Sequence, residues 1–314
     1  EYTKKSFDEI EFTKFDNKTQ QPVGSLKVEK PSDVLFEGAD TNVYKETNEI
    51  SDKLKSEFDK IKEDFCFLFV GHWLQGNLGE DRKDIGMLIK TFLMMFKDKK
   101  EKPALILKTS SAGFSIMDRN ELKRKINQIK KSLNFDNFPN IYILHGDLTD
   151  EEMNQLYNHP KVKTHITFTH GEGFGRPLLE ASFSGKPIMA PVSTGQADFL
   201  EKEYVVEIPH SMTKVPDSSF PKEYQNPEAV WSVVNYNMAA RLMVDVFENY
   251  KKYELRGKKL MIVNREHFNH EQMSKKLLTM VDKILEDIPQ QVQLKLPNLK
   301  KEPKKLKLPK LKKA

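Results

Sequence analysis

Between residues 169 and 180 the chain gathers groups that could hold an anionic ligand: Thr169-His-Gly-Glu-Gly-Phe-Gly-Arg-Pro-Leu-Leu-Glu180. The three glycines Gly171, Gly173 and Gly175 let a backbone approach a ligand closely. Pro177 is tolerated in the first turn of a helix, and the free amides at such a helix start favour phosphate. Glu172 falls in the loop, while Glu180 lies about one turn inside the helix and can project back toward the same crevice. On spacing alone, a tight strand-to-helix turn with two solvated glutamates is an equal alternative, because a lone glycine-rich turn is a weak signal. His145 and His170 fall near the crevice, but an isolated histidine is more often structural, and neither is assigned a catalytic role.

These residues need a scaffold, and from about residue 64 the pattern supplies one. Short β-rich runs alternate with amphipathic helices: strand Phe65–Val70, helix Lys83–Lys97 with Leu88, Ile89, Phe92 and Phe96 on one face, and strand Ala104–Lys108. A helix capped by Asp118 and carrying Leu122, Ile126 and Ile129 follows, then strand Ile141–Leu144 and a helix from Thr149 that opens with three acids. The series continues through strand His165–Phe168, helix Arg176–Ser184, strand Pro187–Ala190, helix Gly195–Leu200 and strand Tyr204–Ile208. Such alternation predicts an α/β fold, a doubly wound Rossmann-like parallel sheet whose ligands bind at the carboxyl ends of its strands. Outside it the pattern predicts a strand over Asp33–Phe36, a helix marked by Ile50, Leu54, Phe58 and Ile61, a loop over 209–227, and helices over 228–252 and 271–286. Three segments result: 1–63 as linker and domain remnant, 64–286 as the Rossmann-like domain with its C-terminal helices, and 287–314 as a Lys/Pro-rich tail.

The run Glu172-Gly-Phe-Gly-Arg-Pro-Leu-Leu-Glu180-Ala-Ser-Phe-Ser-Gly185-Lys-Pro-Ile resembles the Glu-x7-Glu signature of retaining GT-B glycosyltransferases, especially family 4. The resemblance covers about residues 31–285, with Val34–Thr41 similar to the segment entering the donor-binding half and Phe67-Leu-Phe-Val-Gly71 to its first strand. Gly71–Gly76, Glu80–Lys83 and Leu144–Asp147 resemble phage-encoded members. The resemblance implies the donor-binding half of a GT-B fold, with a nucleotide-sugar as donor, a UDP-sugar by default, and an unknown acceptor. It gives Glu180 the ribose hydroxyls and Glu172, as the catalytic-site carboxylate, the sugar. The amides of Gly173, Phe174, Gly175 and Arg176 fall to sugar and diphosphate, and Lys83, with Arg82, to the diphosphate. Thr194 and Gly195 are weaker phosphate candidates. One departure is His72, which stands where the family usually has an arginine. Only about 30 residues precede the linker, so the resemblance implies an acceptor-binding domain that is truncated or supplied elsewhere.

The transferred sugar leaves a diphosphate whose growing charge must be neutralised. Without Asp-x-Asp or a zinc-type Cys/His cluster in the sequence, lysine, arginine and helix amides are expected to do this, with no cofactor and no metal. A competing reading is a non-catalytic binding or structural subunit on a degenerate transferase domain. The 314 residues are 38% hydrophobic and 31% charged, which is normal for a globular chain. Residues 294–314 hold nine lysines against Glu302, a charge of +8, so the rest of the chain carries +5 less +8, or −3. The basic balance is therefore no argument for nucleic acid binding by the folded body; the tail alone is a candidate for an anionic partner. The single Cys66 lies in an apolar run and excludes an intrachain disulfide, which suits a reducing compartment. No apolar stretch reaches the roughly 20 residues a membrane helix needs. A cytoplasmic location is the expectation, in the host if the chain is phage-encoded.

Overall fold

The computed structural model describes residues 11–27, 32–74, 76–111, 113–219 and 228–286. The lysine tail and residues 220–227 of the expected loop lie outside the described residues. In chain order the elements begin with a hairpin, β1 (Glu11–Phe15) and β2 (Pro22–Lys27). Then come α1 (Asp52–Phe58), β3 (Cys66–Val70), α2 (Ile85–Phe96), β4 (Ala104–Lys108), α3 (Ile116–Lys131), β5 (Ile141–Leu144), α4 (Asp150–Asn158), β6 (Val162–Ile166), α5 (Arg176–Ser182), β7 (Ile188–Ala190) and β8 (Val206–Glu207). The chain continues with β9 (His210–Lys214), β10 (Val230–Val234), α6 (Tyr236–Glu248), α7 (Tyr250–His267) and α8 (His270–Glu286).

Six strands form one parallel sheet in the order β5-β4-β3-β6-β7-β8. The order reverses between β3 and β6, and such a switch point opens a crevice at the strands' carboxyl ends. Alternation along each strand sends side chains to opposite faces. Phe67 and Phe69 enter one core with Leu88, Phe92, Leu122 and Met243, whereas Cys66 and Leu68 enter the other with Leu54, Tyr157, Leu179 and Leu260. Both faces are covered, so the central strand β3 is apolar throughout. Burial of each large side chain contributes about 1.5–3 kcal/mol. The second core reaches back to Ala39, Tyr44, Leu54, Phe58 and Ile61. Cys66 is fully buried, and burial pushes its thiol up to about 12, an inert state.

Local chemistry sets several boundaries differently from the sequence pattern. Ser115, not Asp118, caps α3: its hydroxyl accepts from the Asp118 amide at 3.1 Å, and Asp118 instead receives Ser111 and His145. Thr149 and Glu152 close a reciprocal capping box on α4. Asp33–Phe36 forms no strand; nearby, Ala39 makes an isolated bridge to Asn269. The expected loop and helix over 209–252 contain an antiparallel pair, β9 with β10, before α6 begins at Tyr236. Gly195–Leu200 is a short 3-10 turn, Thr194–Asp198, rather than an α-helix. No helix among the described residues is long and apolar enough to cross a membrane.

Candidate functional site

The loop after β3 carries Arg82 and Lys83 across the switch point to the loop after β6. Main-chain bonds hold this approach: His170 N donates to Arg82 O at 2.9 Å, and the Thr169 hydroxyl reaches Arg82 O at 3.3 Å. Lys83 Nζ donates to Glu172 Oε1, and Arg82 Nη1 donates to Gly171 O at 2.9 Å and lies 3.4 Å from Glu172 Oε2. The Lys83 and Glu172 side chains are only 10% and 11% exposed, so this is a largely desolvated pair and not a screened surface contact. Burial lowers the Lys83 pKa, and the attraction of Glu172 opposes that shift.

Glu172 is fixed from behind. Its amide donates to the Thr194 hydroxyl at 3.0 Å, and its carbonyl accepts from Gly195 N at 3.0 Å. Thr194 and Gly195 thus clamp the glycine turn, and the Gly195 amide is spent on Glu172. Thr194 adopts φ 54° and Gly175 φ 97°, the left-handed region that glycine enters most easily. The Gly175 conformation turns the chain into α5, leaving the amides of Phe174, Gly175 and Arg176 without a hydrogen-bond partner among the described residues. Gly173 has open space where a side chain would stand, whereas one on Gly195 would strike Gly173 O.

Glu180 is buried one turn into α5. Its Oε1 accepts from Arg176 Nε at 3.2 Å and Nη2 at 3.0 Å, and Oε2 accepts from the Tyr157 hydroxyl at 3.3 Å. Burial raises the Glu180 pKa while Arg176 and Tyr157 pull it back. Lys83, Glu172, Gly175, Pro177 and Tyr157 line one narrow crevice, and Tyr157 also bonds Glu180. Direct contacts join Arg82, Lys83, Thr194 and Gly195 to Glu172, and Arg176 to Glu180, whereas the Phe174 ring is buried against Phe199 in the second core. Sequence reasoning missed Tyr157, which no spacing rule ties to Glu180. It also missed the Tyr236–Asp84 contact beneath the basic loop. His72 bonds Ser110 Oγ through Nδ1 at 2.9 Å. His170 is fully buried, stacks on Trp231 and bonds Ser232 O and Gly79 O, a structural position. Among the described residues no group of three or more His, Cys, Asp or Glu is placed to hold a metal ion.

Asp84 closes the basic loop at φ 50° with its carboxylate fully buried. Oδ2 accepts from the Tyr236 hydroxyl at 2.7 Å and Oδ1 has no hydrogen-bond partner among the described residues; burial pushes this carboxyl up to about 7. A carboxyl raised in the folded state contributes stability that is present below the ordinary carboxylate range and lost as pH rises from about 4 to about 7. Asp84→Asn keeps an acceptor for Tyr236, tolerates positive φ and has no charge to desolvate. Thermal melts across pH 5–8 should show the variant gaining on the wild type as pH rises, by on the order of 2–4 kcal/mol at pH 8. Parallel stability profiles would remove Asp84 as the cause.

No protein-family model and no curated protein matches the chain. Solved structures do resemble it. HepE from Anabaena, in complex with UDP and glucose, matches with a TM-score of 0.54 and 16% identity over 80% of this chain and 57% of its own. Sucrose-phosphate synthase from Thermosynechococcus elongatus gives 0.54 and 16% over 80% and 52%, and a glycosyltransferase from Rickettsia africae gives 0.53 and 13% over 81% and 57%. The chain spans a little over half the length of each. Its six-stranded parallel sheet flanked by helices is the Rossmann-like fold of these GT-B glycosyltransferases.

Proposed function

We propose that this chain is the donor-binding half of a GT-B glycosyltransferase, which moves a sugar from a nucleotide-sugar, UDP-linked by default, to an acceptor with retention at the anomeric carbon. The observation that carries this reading is the meeting of Lys83 and Arg82 with Glu172 over the switch point, beside a helix start with free amides and the buried Glu180. In the proposed arrangement Glu180 accepts bonds from the ribose hydroxyls, a charge-assisted contact of roughly 1.5–3 kcal/mol. Lys83 and Arg82 neutralise the departing diphosphate, and the amides of Gly173, Phe174, Gly175 and Arg176 complete its cradle. Glu172 meets the sugar. These positive groups supply the charge a metal would otherwise bring, so donor binding is proposed to need none. The acceptor, held from outside this half, must be brought into near-attack geometry for efficient transfer.

One observation favours a second reading, a binding subunit without catalysis: His72 replaces the arginine of the resembled family and is bonded to Ser110. Calorimetric titration separates the two, because a scaffold has no reason to bind nucleotide diphosphates. UDP and UDP-glucose should both bind the wild type. Glu172→Ala should weaken UDP-glucose about tenfold while leaving UDP within about twofold, since its partner is the sugar and its loss frees Lys83. No binding of UDP, GDP or ADP sugars by the folded chain would favour the scaffold.

A further inference from the structure

The outer edge of the sheet is open. β5 ends the strand order, and Leu105 N donates to Asn140 O at 3.1 Å, which fixes its phase. In a parallel pair, Asn140, Tyr142 and Leu144 therefore turn their main-chain groups to β4, and Ile141 and Ile143 turn theirs outward. Among the described residues nothing bonds to those two outward units. They face a groove between α1 and α3 whose walls include Phe58, Ile61 and Ile126.

The groove's charge is one-sided. Arg119, Lys123 and Lys130 descend one stripe of α3, and none of them has a carboxylate partner among the described residues; on the other wall Lys60 is already paired with Glu57 at 2.6 Å. Four helical residues rise about 6 Å, and two residues of an extended strand about 6.6 Å. A strand with acids at alternate positions would thus place two of them in step with Arg119 and Lys123, with Lys130 about 10.5 Å further along the stripe, and its other side chains would face Phe58 and Ile61.

We propose that this edge docks an extended acidic segment of a partner polypeptide, which adds to β5 as a seventh strand. Main-chain bonds to Ile141 and Ile143 supply affinity, and the Arg119–Lys123–Lys130 stripe selects the acidic sequence. The same cations disfavour a second copy of this chain, whose edge would bring like charges together. They also disfavour the chain's own lysine-rich tail.

The test uses the intact chain and a fluorescent capped peptide alternating glutamate and valine over seven residues. Anisotropy titration should show saturable binding, and amide exchange at Ile141 and Ile143 should slow. Arg119→Glu with Lys123→Glu, both exposed positions, should weaken binding at least tenfold. Of two peptides N-methylated at the valines or at the glutamates, one should lose binding. Equal binding of both methylated peptides would reduce the effect to charge attraction and overturn the proposal. So would equal binding of a lysine–valine peptide, unchanged affinity in the double variant, or concentration-dependent dimerisation abolished by it. Nucleotide binding is read separately and bears on none of these outcomes.

Discussion

Gly195→Ala is expected to abolish nucleotide binding and lower the melting temperature, although it adds one methyl group. A Cβ at this position would lie 1.8 Å from Gly173 O and 2.4 Å from Gly173 C, both main-chain atoms that no rotamer change can move aside. The turn must open, breaking the Gly195 N to Glu172 O bond and the Glu172 N to Thr194 hydroxyl bond together. The amides of the glycine turn are displaced with it, and the proposed diphosphate cradle loses its shape. Overpacking at a rigid site costs about 1–3 kcal/mol, with the two lost bonds adding about 1 kcal/mol each. Melting curves and UDP calorimetry check it. A variant that melts and binds as the wild type does would mean that the two loops are not in this contact. Gly173→Ala, where space is open, is the matched control for the melting temperature.

Lys83→Ala should produce the second large effect, and in two separable parts. It leaves the Glu172 carboxylate in a poorly hydrated place with only Arg82 at 3.4 Å, and breaking a buried pair from one side costs about 3–5 kcal/mol. It also removes the cation assigned to the diphosphate, so UDP affinity should fall about a hundredfold while any binding of uridine changes little. Adding Glu172→Ala to this variant should restore most of the stability, because the stranded charge is gone, but none of the diphosphate affinity. If the double variant regained UDP binding, Lys83 would be a structural partner of Glu172 and nothing more.

The strands β3, β4, β5 and β7 were legible because each is a short, mostly apolar run, a signal carried by neighbouring residues alone. The hairpin of β9 and β10 was not. His210-Ser-Met-Thr-Lys214 has one aliphatic residue and is largely exposed, and Val230–Val234 abuts α6 closely enough to read as its first turn. Asp33–Phe36 has strand-like composition but finds no neighbouring strand to pair with. The strand expected at His165–Phe168 ends at Ile166, yet Phe168 is fully buried, so its apolar character reported burial and not pairing. At the site, the glycine run and the glutamate spacing marked the loop. The Lys83–Glu172 and Tyr157–Glu180 contacts join residues 89 and 23 positions apart, a proximity that arises only when the sheet is assembled.

The most direct test of the donor-site assignment is calorimetric titration of UDP into the wild type, Glu180→Gln and Glu180→Ala, each first shown to be folded by circular dichroism and melting. The carboxylate is held by Arg176 and Tyr157 at the helix start, and it is proposed to accept both ribose hydroxyls. Glutamine keeps the shape and part of the bonding, whereas alanine removes the acceptor. Affinity should fall in the order wild type, Gln, Ala, with the Ala variant weaker by about ten- to a hundredfold. A folded Glu180→Ala variant that binds UDP, GDP and ADP sugars as tightly as the wild type would contradict the assignment of this crevice as the donor site.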